Sequence, residues 1–104
     1  MMKFGTAIYS QGAIALVPFP FSNLSSAKVR PVLIISNNRY NKKSADVVVR
    51  GITSNLKPAR FSILLEQKDL QLGHLKCKSK IKVDALAALE KSIIIKTIGF
   101  VKLK

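Results

Sequence analysis

The sequence predicts one small, mainly β domain, built as a strongly curved antiparallel sheet or barrel with one or two short helical turns. The chain has 104 residues, which is enough for one hydrophobic core and too few for two. Hydrophobic residues make up 48% of it, with many valines, isoleucines and leucines, which fit strands well. They occur in short runs separated by turn-forming residues, as in small all-β folds. We therefore treat residues 1–104 as a single domain.

Most of the apolar runs are predicted as strands that end at turn-forming residues. These strands are residues 12–17, 31–36, 46–53, 61–65 and 93–101, the last bent near Gly99. Residues 76–83 alternate lysine with other residues, which in a strand would set four ammonium groups on one face. Residues 22–29 and 37–44 are predicted as loops, and residues 66–73 as a turn with room for one helical turn. Residues 84–90 fit either a helix or a strand.

The charge of the chain is its strongest compositional feature. Eighteen Lys and Arg stand against five Asp and Glu, for a formal net charge of +13. Because such a charge repels itself within one small domain, an anionic partner is the favoured explanation, nucleic acid before membrane. The alternative is a basic surface kept for solubility, or for a salty, hot or acidic cytoplasm.

The sequence also predicts a cytoplasmic protein that does not cross a membrane. Cys77 is the only cysteine, which excludes an intrachain disulfide and suits a reducing compartment. The first residues lack the pattern of a signal peptide. No apolar run approaches the ~20 residues that a membrane-spanning helix needs.

Several segments in order carry a family resemblance. Residues 12–24 form an apolar strand and a Pro-Phe-Pro-Phe loop, residues 28–36 a Lys-x-Arg-Pro lead into an apolar strand, and residues 46–54 a strand ending in Thr-Ser. The later matching positions are Gly73, Leu75, Ser79, Asp84, Lys91, Ser92, Ile98 and Gly99. Together these segments resemble the MazF/PemK toxins of type II toxin–antitoxin systems. Ala13 departs from the acidic residue that the family usually has there.

The resemblance implies an SH3-like barrel and a homodimer. It also implies a metal-independent endoribonuclease that cuts single-stranded RNA at short sequence motifs through attack by the 2′-hydroxyl. A cognate antitoxin that wraps the toxin and blocks its RNA groove is the implied protein partner.

Arg30 and Thr53 are the predicted catalytic residues. Cleavage by the 2′-hydroxyl builds extra negative charge on phosphorus, which the planar, always protonated fork of Arg30 would stabilise. Pro31 biases Arg30 toward an extended backbone at the start of a strand. Thr53 is assigned hydrogen bonding in the transition state, because an unaided hydroxyl is a poor base. The alternatives are a surface ion pair for Arg30 and a turn cap for Thr53.

A further set of residues is predicted to bind RNA. Lys28 lies close to Arg30 in sequence, Ser54 offers a hydroxyl and Tyr40 offers a ring on which a base can stack. Part of the alternating stretch would follow the RNA backbone. Its predicted RNA-binding members are Lys76, Lys78, Ser79 and Lys80. Alternatively, these lysines protect an edge strand from aggregation.

No cofactor is expected. His74 and Cys77 have three-residue spacing, but one of each without a carboxylate pair does not make a zinc site. The acidic residues show no two-metal clustering. Phe19 and Phe21 are expected in the core. Two other functions remain open: a non-catalytic, basic nucleic-acid-binding barrel, and a domain that binds an acidic protein.

Overall fold

In the part of the chain that the structure describes, seven antiparallel strands form one sheet that curls into a half-barrel, which confirms the mainly β prediction. The computed structural model describes residues 9–19, 28–58 and 60–102. The strand order across the sheet is β4-β6-β3-β2-β1-β7-β5. The elements are β1 (Ala13–Phe19), β2 (Lys28–Ile34), α1 (Asn38–Lys43), β3 (Asp46–Thr53), β4 (Ser62–Leu65), a 3-10 turn (Gln67–Asp69), β5 (Leu70–Gly73), β6 (Ser79–Glu90), a second 3-10 turn (Lys91–Ile93) and β7 (Lys96–Val101).

The ambiguous residues 84–90 are a strand, the second half of the long strand β6. The prediction of a loop over residues 37–44 is wrong, because α1 lies there. Asn37 caps this helix by accepting the backbone N–H of Tyr40 at 2.8 Å, so an asparagine typical of loops acts as a helix start. The prediction of a turn over residues 66–73 missed strand β5, which pairs with β7.

The alternating lysines do not form the predicted face of four. Strand β6 begins at Ser79, so Lys76 and Lys78 precede it and only Lys80 and Lys82 lie in the strand. The predicted loop over residues 22–29 lies outside the described residues except for its last two, which belong to β2. Phe21 and the side chain of Phe19 also lie outside the described part of the chain.

The sheet buries apolar side chains on both faces. Alternate residues of β1 point to opposite sides, so Ala13, Ala15 and Val17 join one cluster while Ile14 joins the other. The first cluster adds residues from β2, β3 and β6, namely Val32, Ile34, Val47, Val49 and Leu89. The second cluster adds Ile52, Leu65, Leu70, Leu75 and Ile81. Val32 of the first cluster belongs to the last residue pair of β2 and β3, Val32↔Gly51.

Asn41 attaches α1 to the sheet. Its side chain is 3% exposed and its Nδ2 donates to the carbonyls of Tyr9 at 2.6 Å and Ser36 at 2.9 Å. Its Oδ1 accepts the hydroxyl of Ser36, whose oxygen in turn accepts the N–H of Val48 at 3.0 Å. Because a buried amide without partners is costly, these bonds hold the short helix in one orientation.

Candidate active site

A pocket of about 410 Å³ opens where β2 and β3 separate. Both apolar and polar side chains line it. The lining residues are Arg30, Pro31, Val32, Val49, Gly51, Ile52, Thr53, Lys82, Asp84, Ala85, Leu86 and Ala87. The pocket therefore combines two cations, one carboxylate and one hydroxyl with apolar side chains.

The separation of β2 from β3 forms one side of the pocket. The two strands pair from Ile34↔Val49 to Val32↔Gly51, and their pairing ends there. Arg30 still pairs with β1, opposite Val17, while Thr53 pairs with β6, opposite Lys80. Pro31 has no N–H to donate, which favours the loss of pairing at this point. The β2–β3 register, continued by two residues, sets Arg30 and Thr53 across the gap from each other.

An irregularity in β6 forms the other side. Arg50 pairs with Leu86 and Ile52 pairs with Ile81, so on the β3 side residues 82–85 stand opposite Gly51 alone. Such a bulge re-aims side chains, and here Lys82 and Asp84 both line the pocket. Gly51 and Ala85 both line the pocket and lie close together, since a Cβ added to Gly51 would be 3.5 Å from the Cβ of Ala85.

The hydroxyl of Thr53 is held in place by its own turn. Its Oγ1 accepts the backbone N–H of Asn55 at 3.1 Å. This bond is the turn cap considered as the alternative role, and it leaves the hydroxyl hydrogen available to donate to a ligand. The cap and a binding role are therefore compatible.

The charged groups of the pocket are not neutralised by one another. Among the described residues, Arg30, Lys82 and Asp84 form no ion pair within 4.0 Å. Arg30, Lys82 and Asp84 are all exposed. Because none of the three forms an ion pair with another described residue and all three are exposed, the guanidinium, the ammonium and the carboxylate are available to a ligand.

The structure brings Arg30 and Thr53 to one pocket. Lys28 and Ser54 are exposed neighbours of these two residues in sequence, and neither lines the pocket. Tyr40 lies on α1, at the opposite end of the β2–β3 hairpin. Its RNA-binding role, like those of Lys28 and Ser54, stays a prediction.

The other residues predicted to bind RNA lie near the start of β6. Lys78 contacts Glu66 at 3.6 Å, and the ammonium of Lys80 donates to the carbonyl of Lys57 at 2.9 Å. Ser79 is 5% exposed and donates its hydroxyl to the carbonyl of Cys77 at 3.1 Å. Lys76 is exposed. None of the four lines the pocket, and their roles toward RNA stay predictions.

Sequence patterns did not single out Lys82 and Asp84 as site residues. Lys82 belongs to the alternating stretch of residues 76–83, and Asp84 is one position of the family resemblance. The available signal was the Lys-Val-Asp triplet at residues 82–84, which sets a base and an acid two residues apart on a strand. The sequence does not reveal the bulge in β6. The triplet alone therefore does not show that these two side chains line the same pocket as Arg30.

No three His, Cys, Asp or Glu side chains in residues 9–19, 28–58 and 60–102 are grouped so that they could hold a metal ion. In the same residues, no helix has the length and apolar character required to cross a membrane.

Comparisons with known proteins identify the family of this chain and solved structures that share its fold. Residues 10–104 match the family model described as PemK-like, MazF-like toxin of type II toxin–antitoxin system. The chain therefore belongs to this toxin family. A sequence search found no significant match among curated proteins.

Two solved structures share the architecture. An endoribonuclease in complex with its cognate antitoxin, from a mycobacterial species, superposes with a TM-score of 0.71 at 20% identity, over 89% of this chain and 79% of that one. An endoribonuclease from a mycobacterial species gives a TM-score of 0.68 at 22% identity, over 89% of this chain and 75% of that one. At these identities the likeness establishes the common fold.

Proposed function

We propose that this chain is an endoribonuclease toxin that cuts single-stranded RNA at short sequence motifs without a metal ion. The observation that carries the proposal is that Arg30, Thr53, Lys82 and Asp84 line one pocket. Membership of the toxin family and the fold shared with two endoribonucleases support it. The net charge of +13 suits a polyanionic substrate.

The four polar groups match the needs of cleavage by the 2′-hydroxyl. The carboxylate of Asp84 takes the proton from the 2′-hydroxyl while the 2′-oxygen attacks the adjacent phosphorus. Arg30 and Lys82 stabilise the negative charge that develops on the phosphorane oxygens, and the Thr53 hydroxyl donates to one of them. The bond to the 5′-oxygen then breaks, that oxygen takes a proton from water, and Asp84 returns its proton to the solvent. The products are a 2′,3′-cyclic phosphate and a 5′-hydroxyl.

The purified protein is expected to cut mixed single-stranded RNA into discrete fragments in the presence of a chelator. Fragment ends are read by phosphorylation of 5′-hydroxyls with polynucleotide kinase and by acid opening of the cyclic phosphates. Duplex RNA of the same sequence is the control and should remain intact. If the RNA stays whole while the protein binds duplex DNA as tightly as single strands, the protein is the non-catalytic nucleic-acid-binding barrel instead.

Asp84→Asn is expected to lower the cleavage rate about 10²-fold or more, because an amide cannot accept the proton of the 2′-hydroxyl. The two side chains have nearly the same shape, so RNA binding measured by fluorescence anisotropy should not weaken. Asp46→Asn is the matched control, since Asp46 lies at the far end of β3 from the pocket. Equal cleavage rates for the two variants would remove Asp84 from the mechanism.

The proposed protein partner is a cognate antitoxin that covers the same pocket. One of the two endoribonucleases with this fold is in complex with its cognate antitoxin, which supports the assignment. An excess of positive charge in this chain favours an acidic partner segment. We also propose that the toxin acts as a homodimer, which sedimentation equilibrium of the purified chain tests directly.

A further inference from the structure

Helix α1 carries a second cationic surface, outside the pocket. A shallow, open depression of about 570 Å³ is lined by Asn38, Arg39, Lys42 and Lys43. All four side chains are exposed. We refer to Arg39, Lys42 and Lys43 as the α1 cluster.

The charges of the α1 cluster repel one another. Arg39, Lys42 and Lys43 are spaced three and four residues apart, which sets them on one side of the helix. Like charges at these spacings destabilise a helix. Within the described residues none of the three forms an ion pair. The helix therefore concentrates uncompensated positive charge that an anionic ligand would neutralise.

The helix presents these charges on a rigid support. Asn37 caps its start, and the buried side chain of Asn41 bonds to Tyr9 and Ser36. The ammonium of Lys91 donates to the carbonyl of Asn41 at 2.9 Å. A fixed support lowers the ordering cost when a ligand binds.

The α1 cluster is too far from the pocket to act on the same phosphodiester. The helix immediately precedes Asp46 at the start of β3, whereas Thr53 at the pocket ends that strand. Seven residue steps at ~3.3 Å each separate the two strand ends by about 23 Å. A ligand of the α1 cluster therefore contacts a different part of the substrate from the one at the pocket.

We propose that the α1 cluster is an anchoring site for the sugar–phosphate backbone of single-stranded RNA, separate from the cleavage pocket. Arg39 and Lys43 are offset by about 6 Å along the helix axis, four residues at 1.5 Å, close to the spacing of successive phosphates on an extended strand. Tyr40 on the same helix is 40% exposed and offers a ring for base stacking. This aromatic group favours RNA over an acidic protein as the ligand. The inference rests on the proposed function for its choice of substrate.

The test compares two triple variants that each remove three positive charges. One is Arg39→Ala/Lys42→Ala/Lys43→Ala. The matched control is Lys68→Ala/Lys96→Ala/Lys102→Ala, in which all three replaced lysines are exposed and lie outside both sites. Binding is measured by anisotropy on a 2′-O-methyl RNA of about 30 nucleotides, which cannot be cut through the 2′-oxygen and spans both sites. Circular dichroism verifies that both variants are folded.

The α1 variant is expected to bind this RNA at least about 10-fold more weakly than the control, with its salt slope reduced by about 2 for three lost phosphate contacts. Cleavage of a trinucleotide, which even fully extended is shorter than the separation between the pocket and α1, should proceed at the wild-type rate in both variants. Equal affinities of the two triple variants would overturn the site, since only total charge would then matter. Intact RNA binding with lost capture of a co-expressed acidic antitoxin would reassign the α1 cluster to protein recognition.

The binding and cleavage results separate this inference from the proposed function. If the wild-type protein cuts no RNA but the α1 variant still binds more weakly than its control, the anchoring site stands and the enzyme proposal fails. If the wild type cuts RNA and the two triple variants bind alike, the enzyme proposal stands and the anchoring site fails.

Discussion

Arg30→Ala is expected to lower the rate of RNA cleavage about 10²–10³-fold, the usual effect of removing one donor that stabilises transition-state charge. Arg30 lines the pocket and is exposed, so its loss should leave the free energy of unfolding within about 0.5 kcal/mol of wild type. Arg30→Lys should retain part of the activity, because an ammonium keeps the charge but lacks the planar fork that binds two phosphate oxygens. Single-turnover cleavage of a labelled RNA gives the rates.

Arg60→Ala is the matched control for this measurement. Arg60 is also exposed, lies outside the pocket and places its guanidinium 5.4 Å from the centre of the Phe61 ring. The Arg60→Ala substitution removes the same charge as Arg30→Ala, so any effect of net charge on RNA binding is common to both variants. If the Arg30→Ala variant cuts RNA as fast as the Arg60→Ala variant, the pocket is not the cleavage site.

Gly73→Ala is expected to destabilise the protein by at least about 2 kcal/mol, through backbone strain and overlap. Gly73 has φ +95°, a conformation that residues with a side chain rarely adopt. It pairs with Gly99 of β7, and an added Cβ would overlap the carbonyl oxygen of Ile98 and the Cα of Gly99. Because these neighbours are backbone, relief would require separating β5 from β7. Urea unfolding followed by circular dichroism measures the change.

Gly51→Ala provides the comparison for this loss of stability. Its added Cβ would meet only the Cβ of Ala85 at 3.5 Å, an ordinary van der Waals distance. Alanine at a compatible position lowers the conformational entropy of the unfolded chain relative to glycine. The free energy of unfolding should therefore stay constant or rise by up to about 1 kcal/mol. If the two alanine variants unfold at the same urea concentration, the β5–β7 contact is looser than the structure indicates.

Secondary-structure elements with a clear pattern of apolar residues were predictable, because residue types close together in sequence determine them. The β-branched run of β3 was predicted with its observed bounds, Asp46–Thr53. Helix α1 was missed because its six residues are polar and its start is an asparagine, a pattern that loops share. Residues 84–90 were undecidable from spacing alone, and their pairing with β3 makes them a strand. Strand β5 is four residues long and depends on its pairing with β7.

The sequence by itself determined the β class, the basic character, the family resemblance and the choice of Arg30 and Thr53, because these follow from residue type and order. Only the tertiary structure decided that Lys82 and Asp84 join them. That depends on where β2 leaves β3 and on how β6 bulges opposite Gly51, and both are properties of pairing between distant segments. Strand register is set by contacts across the sheet, so no local pattern along one strand specifies which side chains meet in the pocket.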